Sequence, residues 1–412
     1  MTEFYEQVKE RLMRYARINT ESNPHSTSVP TTSCQHDLAS VIYEELQKIG
    51  ATNVYYDKDT CVVYGSLEAN VKTGRAIGFV THMDTAPDAS GKDVKPWVLE
   101  NYDGKDIVLN AEKDIVMSPN VFPNLKQYIG QDLILTDGTT LLGGDDKASI
   151  AAVMTLLEYL VKHPEIKHNF ISVAFTPDEE VSGLAKDLDL ERFKSPIAYT
   201  LDGDHLGYYM DETFNASLST IEIHGISVHT ATAKGIMKNA VDIGNAFLNK
   251  LPALEKPQYT QGREGFYHVV SFNGDCEYAK IEINVRDHDS LQFDIRNNTL
   301  KMIVDMLNKE YGQGTVNITQ RIQYRNLKEV IDQVPFMIPY LKQAIESVGL
   351  TPQTEPFRGG TDGSALSHRG LPCPNLSAGY ENGRFEYVPI QSMEKNVEIL
   401  LNLIDIYAKC DC

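Results

Sequence analysis

The sequence predicts an α/β fold with a mostly parallel sheet, interrupted by an inserted α+β domain of ferredoxin-like order. Three observations point there. Short apolar runs of strand length alternate with segments whose apolar residues recur at helical spacing. From Leu218 to Tyr324 the order becomes β-α-β-β-α-β, the split motif of a self-contained unit. Four runs in the first half end in side chains that can bind metal: His82-Met83-Asp84, Gly143-Gly144-Asp145-Asp146, Pro177-Asp178-Glu179-Glu180 and Asp202-Gly203-Asp204.

Met1 to Arg17 reads as an amphipathic helix with Phe4, Val8, Leu12 and Tyr15 on one side. Arg75 to Thr81 is a strand running into His82. Leu133 to Leu135 and Leu141-Leu142 read as two brief strands around the turn Asp137-Gly138. Beyond Lys147, the residues Ile150, Val153, Met154, Leu157, Leu160 and Val161 follow 3.6-residue spacing. They predict a core helix that starts at Asp145-Asp146 and stops near His163-Pro164. Asn169 to Phe175 and Ile197 to Leu201 are further strands, delivering Glu179-Glu180 and Asp202. Strands alternating with helices make a parallel sheet covered on both faces, and sites in such sheets form beyond the carboxyl ends of the strands.

The inserted unit contains strands at Leu218–His224, Phe266–Asn273, Tyr278–Val285 and Thr315–Tyr324, with helices at Asn239–Leu251 and Ser290–Tyr311. Helices over Val334–Val348 and Met393–Ala408 then resume the first pattern. The division is therefore 1–210 with 326–412, and 211–325 as the insert.

The chain has 412 residues, 42% of them hydrophobic, an ordinary globular composition. Its 38 basic and 57 acidic residues give a formal charge of −19. That excludes a nucleic-acid or anionic-membrane surface as the main partner. No run approaches the roughly 18 apolar residues of a membrane span, and the N-terminus lacks the features of a secretory signal. The six cysteines show no zinc-ribbon spacing, so a reducing cytoplasm is expected.

One imidazole among several carboxylates is a donor set for a divalent cation. His82 would be a neutral imidazole ligand, oriented by Asp84, because metal-bound histidine usually gives its other ring proton to such a carboxylate. Asp145 has two oxygens with which to bridge two ions, although taken singly an aspartate before a helix is better explained as an N-cap. Glu179 and Glu180 repel each other unless a cation takes one. With Glu180 on metal, Glu179 is left to accept a proton from the attacking water and pass it to a leaving amine. Asp202 supplies a further carboxylate, with a simple Asp-Gly turn as the competing explanation.

With these residues in place, the chain resembles the peptidase T family of tripeptide aminopeptidases. That family belongs to the two-zinc exopeptidase superfamily with carboxypeptidase G and aminoacylase. The likeness runs end to end, through Thr81-His-Met-Asp-Thr-Ala-Pro-Asp88, Leu141-Leu-Gly-Gly-Asp-Asp-Lys-Ala148 and Thr176-Pro-Asp-Glu-Glu-Val181. It continues through Thr200-Leu-Asp-Gly203, Thr232-Ala-Lys-Gly235 and Glu264-Gly-Phe-Tyr-His268. Near the C-terminus it includes Phe357-Arg-Gly-Gly-Thr-Asp-Gly363 and Gly370-Leu-Pro-Cys-Pro-Asn-Leu376.

The resemblance implies a zinc-exopeptidase-like catalytic domain with two zinc ions and an inserted lid or dimerisation domain through which the chain forms a homodimer. It implies that His82, Asp145 and Asp202 hold one zinc, and that Asp145 and Glu180 hold part of the other. Asp84 would orient His82 and Glu179 would be the general base, with a small peptide as substrate. The Asp145-Asp146 peptide would be cis. His229 would help polarise the scissile carbonyl, and Arg286 would bind the substrate carboxylate.

The main departure from the family pattern lies late in the chain. The second zinc needs a late histidine, yet the segment reads Gly379-Tyr-Glu-Asn-Gly383, which puts Asn382 in that place. His368, the last histidine in the chain, is expected at a helix end. The fifth ligand is thus Glu381 or Asn382, and the second site is doubtful or altered. Thr230-Ala231 and Ser182 are smaller departures. Three readings follow: a tripeptide aminopeptidase, a weak or inactive peptide-binding paralogue, or a related dipeptidase or N-acyl amino acid deacylase. The intact set of Glu179, His82, Asp145 and Asp202 favours the first.

Overall fold

The computed structural model describes residues 3–181, 183, 185–383 and 385–410. Ser182 lies outside them, as do Met1 of the expected first helix and the terminal Asp411 and Cys412. The elements are α1 (Tyr5–Tyr15), α2 (Gln35–Ile49), β1 (Thr52–Asp57), β2 (Val62–Leu67), β3 (Ile77–His82), β4 (Trp97–Leu99), β5 (Ile107–Asn110), β6 (Ile115–Met117) and β7 (Leu133–Leu135). Next come α3 (Gly144–Lys162), β8 (Ile171–Thr176), α4 (Leu190–Phe193), β9 (Ala198–Leu201), β10 (Tyr209–Met210), β11 (Asn215–His224), α5 (Ala240–Leu248), β12 (Phe266–Gly274) and β13 (Tyr278–Asp287). The chain continues with α6 (Ser290–Tyr311), β14 (Val316–Tyr324), α7 (Lys328–Ile331), α8 (Met337–Ser347), α9 (Asp362–His368), β15 (Asn375–Leu376), β16 (Val388–Pro389) and α10 (Ile390–Lys409).

Two compact units result: Met1–Asp211 with Val330–Thr354 and Thr361–Cys412, and Glu212–Glu329 with Glu355–Gly360. The first is organised around a seven-stranded sheet of order β1-β2-β8-β3-β9-β15-β10. The sheet is mixed. Its centre, β8-β3-β9-β15, is parallel, whereas β1, β2 and β10 join antiparallel at the flanks. Alternate residues on the strands serve two separate cores. Val63, Phe79, Val173, Phe175 and Tyr199 face the large cluster with α1, α2, α3, α8 and α10. Val62, Tyr64, Val80, Ala174 and Ala198 face Phe193 of α4 and Leu366 of α9.

The core helix α3 is buried nearly all round, from Ile150 through Leu160, and packs on α1, α2, α10 and β3. Truncating one such side chain to alanine typically costs about 2–5 kcal/mol, so α3 is a firm anchor for the Asp145 loop. Leu141-Leu142, expected as a strand, pairs with nothing in a sheet. Instead the Leu141 N–H bonds the Ser90 carbonyl and the Leu142 N–H a carboxylate. β7 belongs to a small separate sheet, β16-β7-β4, over a satellite core containing Tyr128 and Tyr387.

The second unit is a four-stranded antiparallel sheet of order β12-β13-β11-β14, with α5 and α6 buried against it through Phe247, Phe293, Leu300 and Leu307. The chain order β11-α5-β12-β13-α6-β14 is the split βαβ arrangement. Residues Glu355–Gly360 join this unit by backbone bonds: Phe357 N–H to Glu212 O, and Phe214 N–H to Phe357 O. Arg358 then clamps the turn before β12, donating to the carbonyls of Gly262 and Glu264 and to Thr260 Oγ1.

His288 lies buried against Phe214, ring centroids 4.2 Å apart, with neither ring nitrogen hydrogen-bonded. Burial, then the charges of Arg263 and Arg358, push its pKa from 6.5 down to about 4. A lowered folded-state value means the stabilisation is complete above pH 6.5 and is lost as pH falls towards 4, because the unfolded chain takes the proton first. Denaturant unfolding at pH 7 and pH 4.5 will show this loss, and His288→Phe will reduce it. An identical pH slope in the variant contradicts the assignment.

Candidate metal centre

β3 ends on His82, and β8 and β9 run parallel beside it, so Asp178–Glu180 and Asp202 leave the sheet at the same edge. The second station arrives by another route. Asp145 and Asp146 sit at the start of α3 with non-helical backbone, and their peptide is cis. Gly143 turns the chain into them with φ +76°, where a Cβ would crowd Thr85 and Lys147. Asp145 is not an N-cap: α3 has no side-chain cap, and the carboxylate points at His82 and Asn382 instead.

His82 is buried. Its Nε2 lies 2.9 Å from Asp145 Oδ1, and its Nδ1 lies 3.3 Å from Asp84 Oδ1 and 3.2 Å from the Asp84 carbonyl. Donor atoms of His82, Asp145 and Asp202 all fall within 4.8 Å of one another, the one such group among the described residues. Asp84, fully buried, also accepts the backbone N–H groups of Glu179 (2.9 Å) and Glu180 (3.2 Å). One carboxylate therefore orients the imidazole and fixes the turn carrying both glutamates.

The carboxylates of the centre are crowded and desolvated. Burial pushes the Glu179 and Asp146 carboxyls well above the ordinary range, Glu180 to about 8, Asp202 to about 6 and Asp362 to about 7; neighbouring acids add to it. Burial opposes protonation of His82, but its hydrogen bonds to Asp145 and Asp84 outweigh this and raise its pKa. The same imidazole outweighs burial at Asp145 and lowers it. Asp146 Oδ1 and Asp362 Oδ1 are buried without a hydrogen-bond partner. One imidazole amid desolvated carboxylates fits zinc or a harder divalent ion.

Of the two candidates for the fifth ligand, Asn382 reaches the centre and Glu381 faces away. Asn382 Nδ2 donates to Asp145 Oδ2 at 2.8 Å. Glu381 is held by Tyr128 Oη (2.6 Å), Asn124 Nδ2 (2.8 Å) and His205 Nδ1 (3.3 Å). His368 ends α9, exposed. His229 and Arg286 lie in the second unit. His229 is exposed, and its Nδ1 accepts the Ala231 N–H, which leaves Nε2 as the donor. Arg286 is half-buried over the Tyr324 ring and donates to the Ser217 and Val285 carbonyls.

Several residues support the site in ways that no periodic signal reveals. Tyr380 Oη donates to Asp202 Oδ1 and accepts the Gly203 N–H. Asp178 ties its turn to Thr31 and Gln35. Glu386 accepts the N–H groups of Leu142 (2.5 Å), Gly143 (2.8 Å) and Asp145 (3.4 Å), holding the loop that carries Asp145. Glu386→Leu strands these buried donors. The expected loss is about 3 kcal/mol of unfolding free energy, read by urea denaturation; a loss below about 1 kcal/mol contradicts the role.

A family model described as a peptidase dimerisation domain (M20_dimer) matches residues 212–315. The chain is 46% identical to peptidase T of Alkaliphilus oremlandii over 97% of its length and 99% of that protein's. It is 46% identical to peptidase T of Clostridium novyi over 98% and 100%. Its fold matches the crystal structure of the aminopeptidase PepT from Bacillus cereus with a TM-score of 0.78 and 23% identity, covering 98% of this chain and 99% of that one. On near full-length identity of this order, the chain belongs to the peptidase T family.

Proposed function

We propose that the chain is a metal-dependent aminopeptidase that releases the N-terminal residue of tripeptides. The observation that carries this reading is the clamp at Asp84, which orients His82 and, through two backbone bonds, sets Glu179 beside the same centre. His82, Asp145 and Asp202 would hold the principal ion, which we take to be zinc, and Asp145 and Glu180 would be the remaining donors towards a second. A divalent ion there supplies Lewis-acid polarisation of the peptide carbonyl and makes water more acidic.

Glu179 takes the proton of the attacking water on its carboxylate and delivers it to the departing amine nitrogen. Its desolvated setting raises its proton affinity, which suits that exchange. The family resemblance assigns His229 to polarising the scissile carbonyl and Arg286 to binding the substrate carboxylate. The substrate is a small peptide.

A homodimer through the inserted domain is supported by the description of the matching family model and by the exposed Leu291, Ile295, Met302 and Met306 along α6. A cytoplasmic setting is supported by the free cysteines Cys34, Cys61, Cys276, Cys373 and Cys410. Among the described residues, no helix is long and apolar enough to cross a membrane.

Incubation with a free-amine tripeptide, its N-acetyl derivative and the matching dipeptide, resolved by chromatography, tests the reaction. Release of the N-terminal residue from the tripeptide alone is expected. Hydrolysis of the acetylated compound in preference overturns the aminopeptidase reading.

A further inference from the structure

We infer that this chain holds a single tightly bound metal ion, because Asn382 and Glu381 leave the second position without a competent ligand. The inference rests on the proposed reading of the first site and concerns residues around it.

Asp145 Oδ1 faces His82, and its other oxygen, the one free to reach a second ion, accepts a hydrogen bond from Asn382 Nδ2. A carboxylate only accepts, so the amide must present its NH2 group here and turn its oxygen away. The backbone on either side is also held. The Asn382 backbone N–H is held by Asp204 Oδ1 at 3.0 Å, and Glu381 and Tyr387 exchange backbone hydrogen bonds on either side.

Glu381, the stronger ligand by chemistry, is 4% exposed and engaged by Tyr128, Asn124 and His205. Tyr128 is itself fixed in the satellite core against the Tyr387 ring. His205 offers an imidazole beside Glu381, and Asp204 adjoins it in sequence. Yet among the described residues no group of three donors other than His82, Asp145 and Asp202 comes within ion range. An amide oxygen is a poor zinc ligand beside imidazole, so Asp145 and Glu180 would face a second ion almost alone.

The test is metal stoichiometry, independent of turnover. Purified full-length protein is stripped by chelation and dialysed against zinc or cobalt. Bound metal is then counted by elemental analysis, and the cobalt absorption spectrum is recorded. One tight equivalent per chain is expected for the wild type, and Asn382→His is expected to gain a second equivalent with a new cobalt band. If that variant fails to fold, Asn382→Asp, which replaces the donor with a second carboxylate, is expected to show the same gain. Two equivalents in the wild type with affinities within tenfold overturn the inference, as does a folded variant that stays at one. A His82→Ala protein that keeps its tight ion overturns the first site itself, a failure distinct from that of the single-ion claim.

Discussion

Glu179→Ala lowers kcat for tripeptide hydrolysis by about 10³-fold or more, within the range ascribed to general acid–base catalysis, and leaves bound metal unchanged. The turn should survive, because its contact with Asp84 is made by the backbone N–H of residue 179, which alanine retains. Glu179→Gln keeps the shape and removes the proton acceptor, so it should be nearly as slow. A variant with more than a tenth of wild-type activity contradicts the base assignment. A variant that loses metal shows instead that Glu179 acts as a ligand.

Asp84→Ala is expected to damage both halves of the site. It strips the carboxylate from His82 Nδ1 and the acceptor from two backbone N–H groups of the glutamate turn. Loss of an orienting carboxylate typically weakens metal binding 10–100-fold. Each stranded donor costs about 1–3 kcal/mol, less where water reaches it. Equilibrium dialysis and urea unfolding on the same preparation separate the two effects. Asp84→Asn, which still offers one acceptor, should fall between alanine and wild type. Unchanged metal affinity in the alanine variant contradicts the orienting role.

Much of this site was legible because its parts end apolar runs. β3, β8 and β9 are short, buried and β-rich, and a parallel arrangement sends His82, Glu179-Glu180 and Asp202 to one edge. Asp145 was visible as the residue before a strongly periodic helix, although the sequence could not tell a cap from a ligand. That choice depends on where His82 comes to rest, 63 positions away along the chain. The antiparallel flanks β1 and β2 were not read. β1 is only partly buried and β2 is buried on both faces, so neither shows clean alternation. The supporting roles of Glu386 and Asp178 were invisible for a different reason. Both residues satisfy backbone N–H groups of distant loops, and no local pattern records such a partnership. The choice between Glu381 and Asn382 likewise turned on Tyr128 and Asn124, which occupy a different part of the sequence.

The most direct test of the account is hydrolysis of a free-amine tripeptide by chelator-stripped protein, before and after zinc is restored, with bound zinc counted in the same samples. The account predicts no release of the N-terminal residue from the stripped protein and recovery of release in proportion to zinc bound at the His82, Asp145 and Asp202 site. Unimpaired hydrolysis by metal-free protein, or zinc uptake without any release of the N-terminal residue, would contradict it.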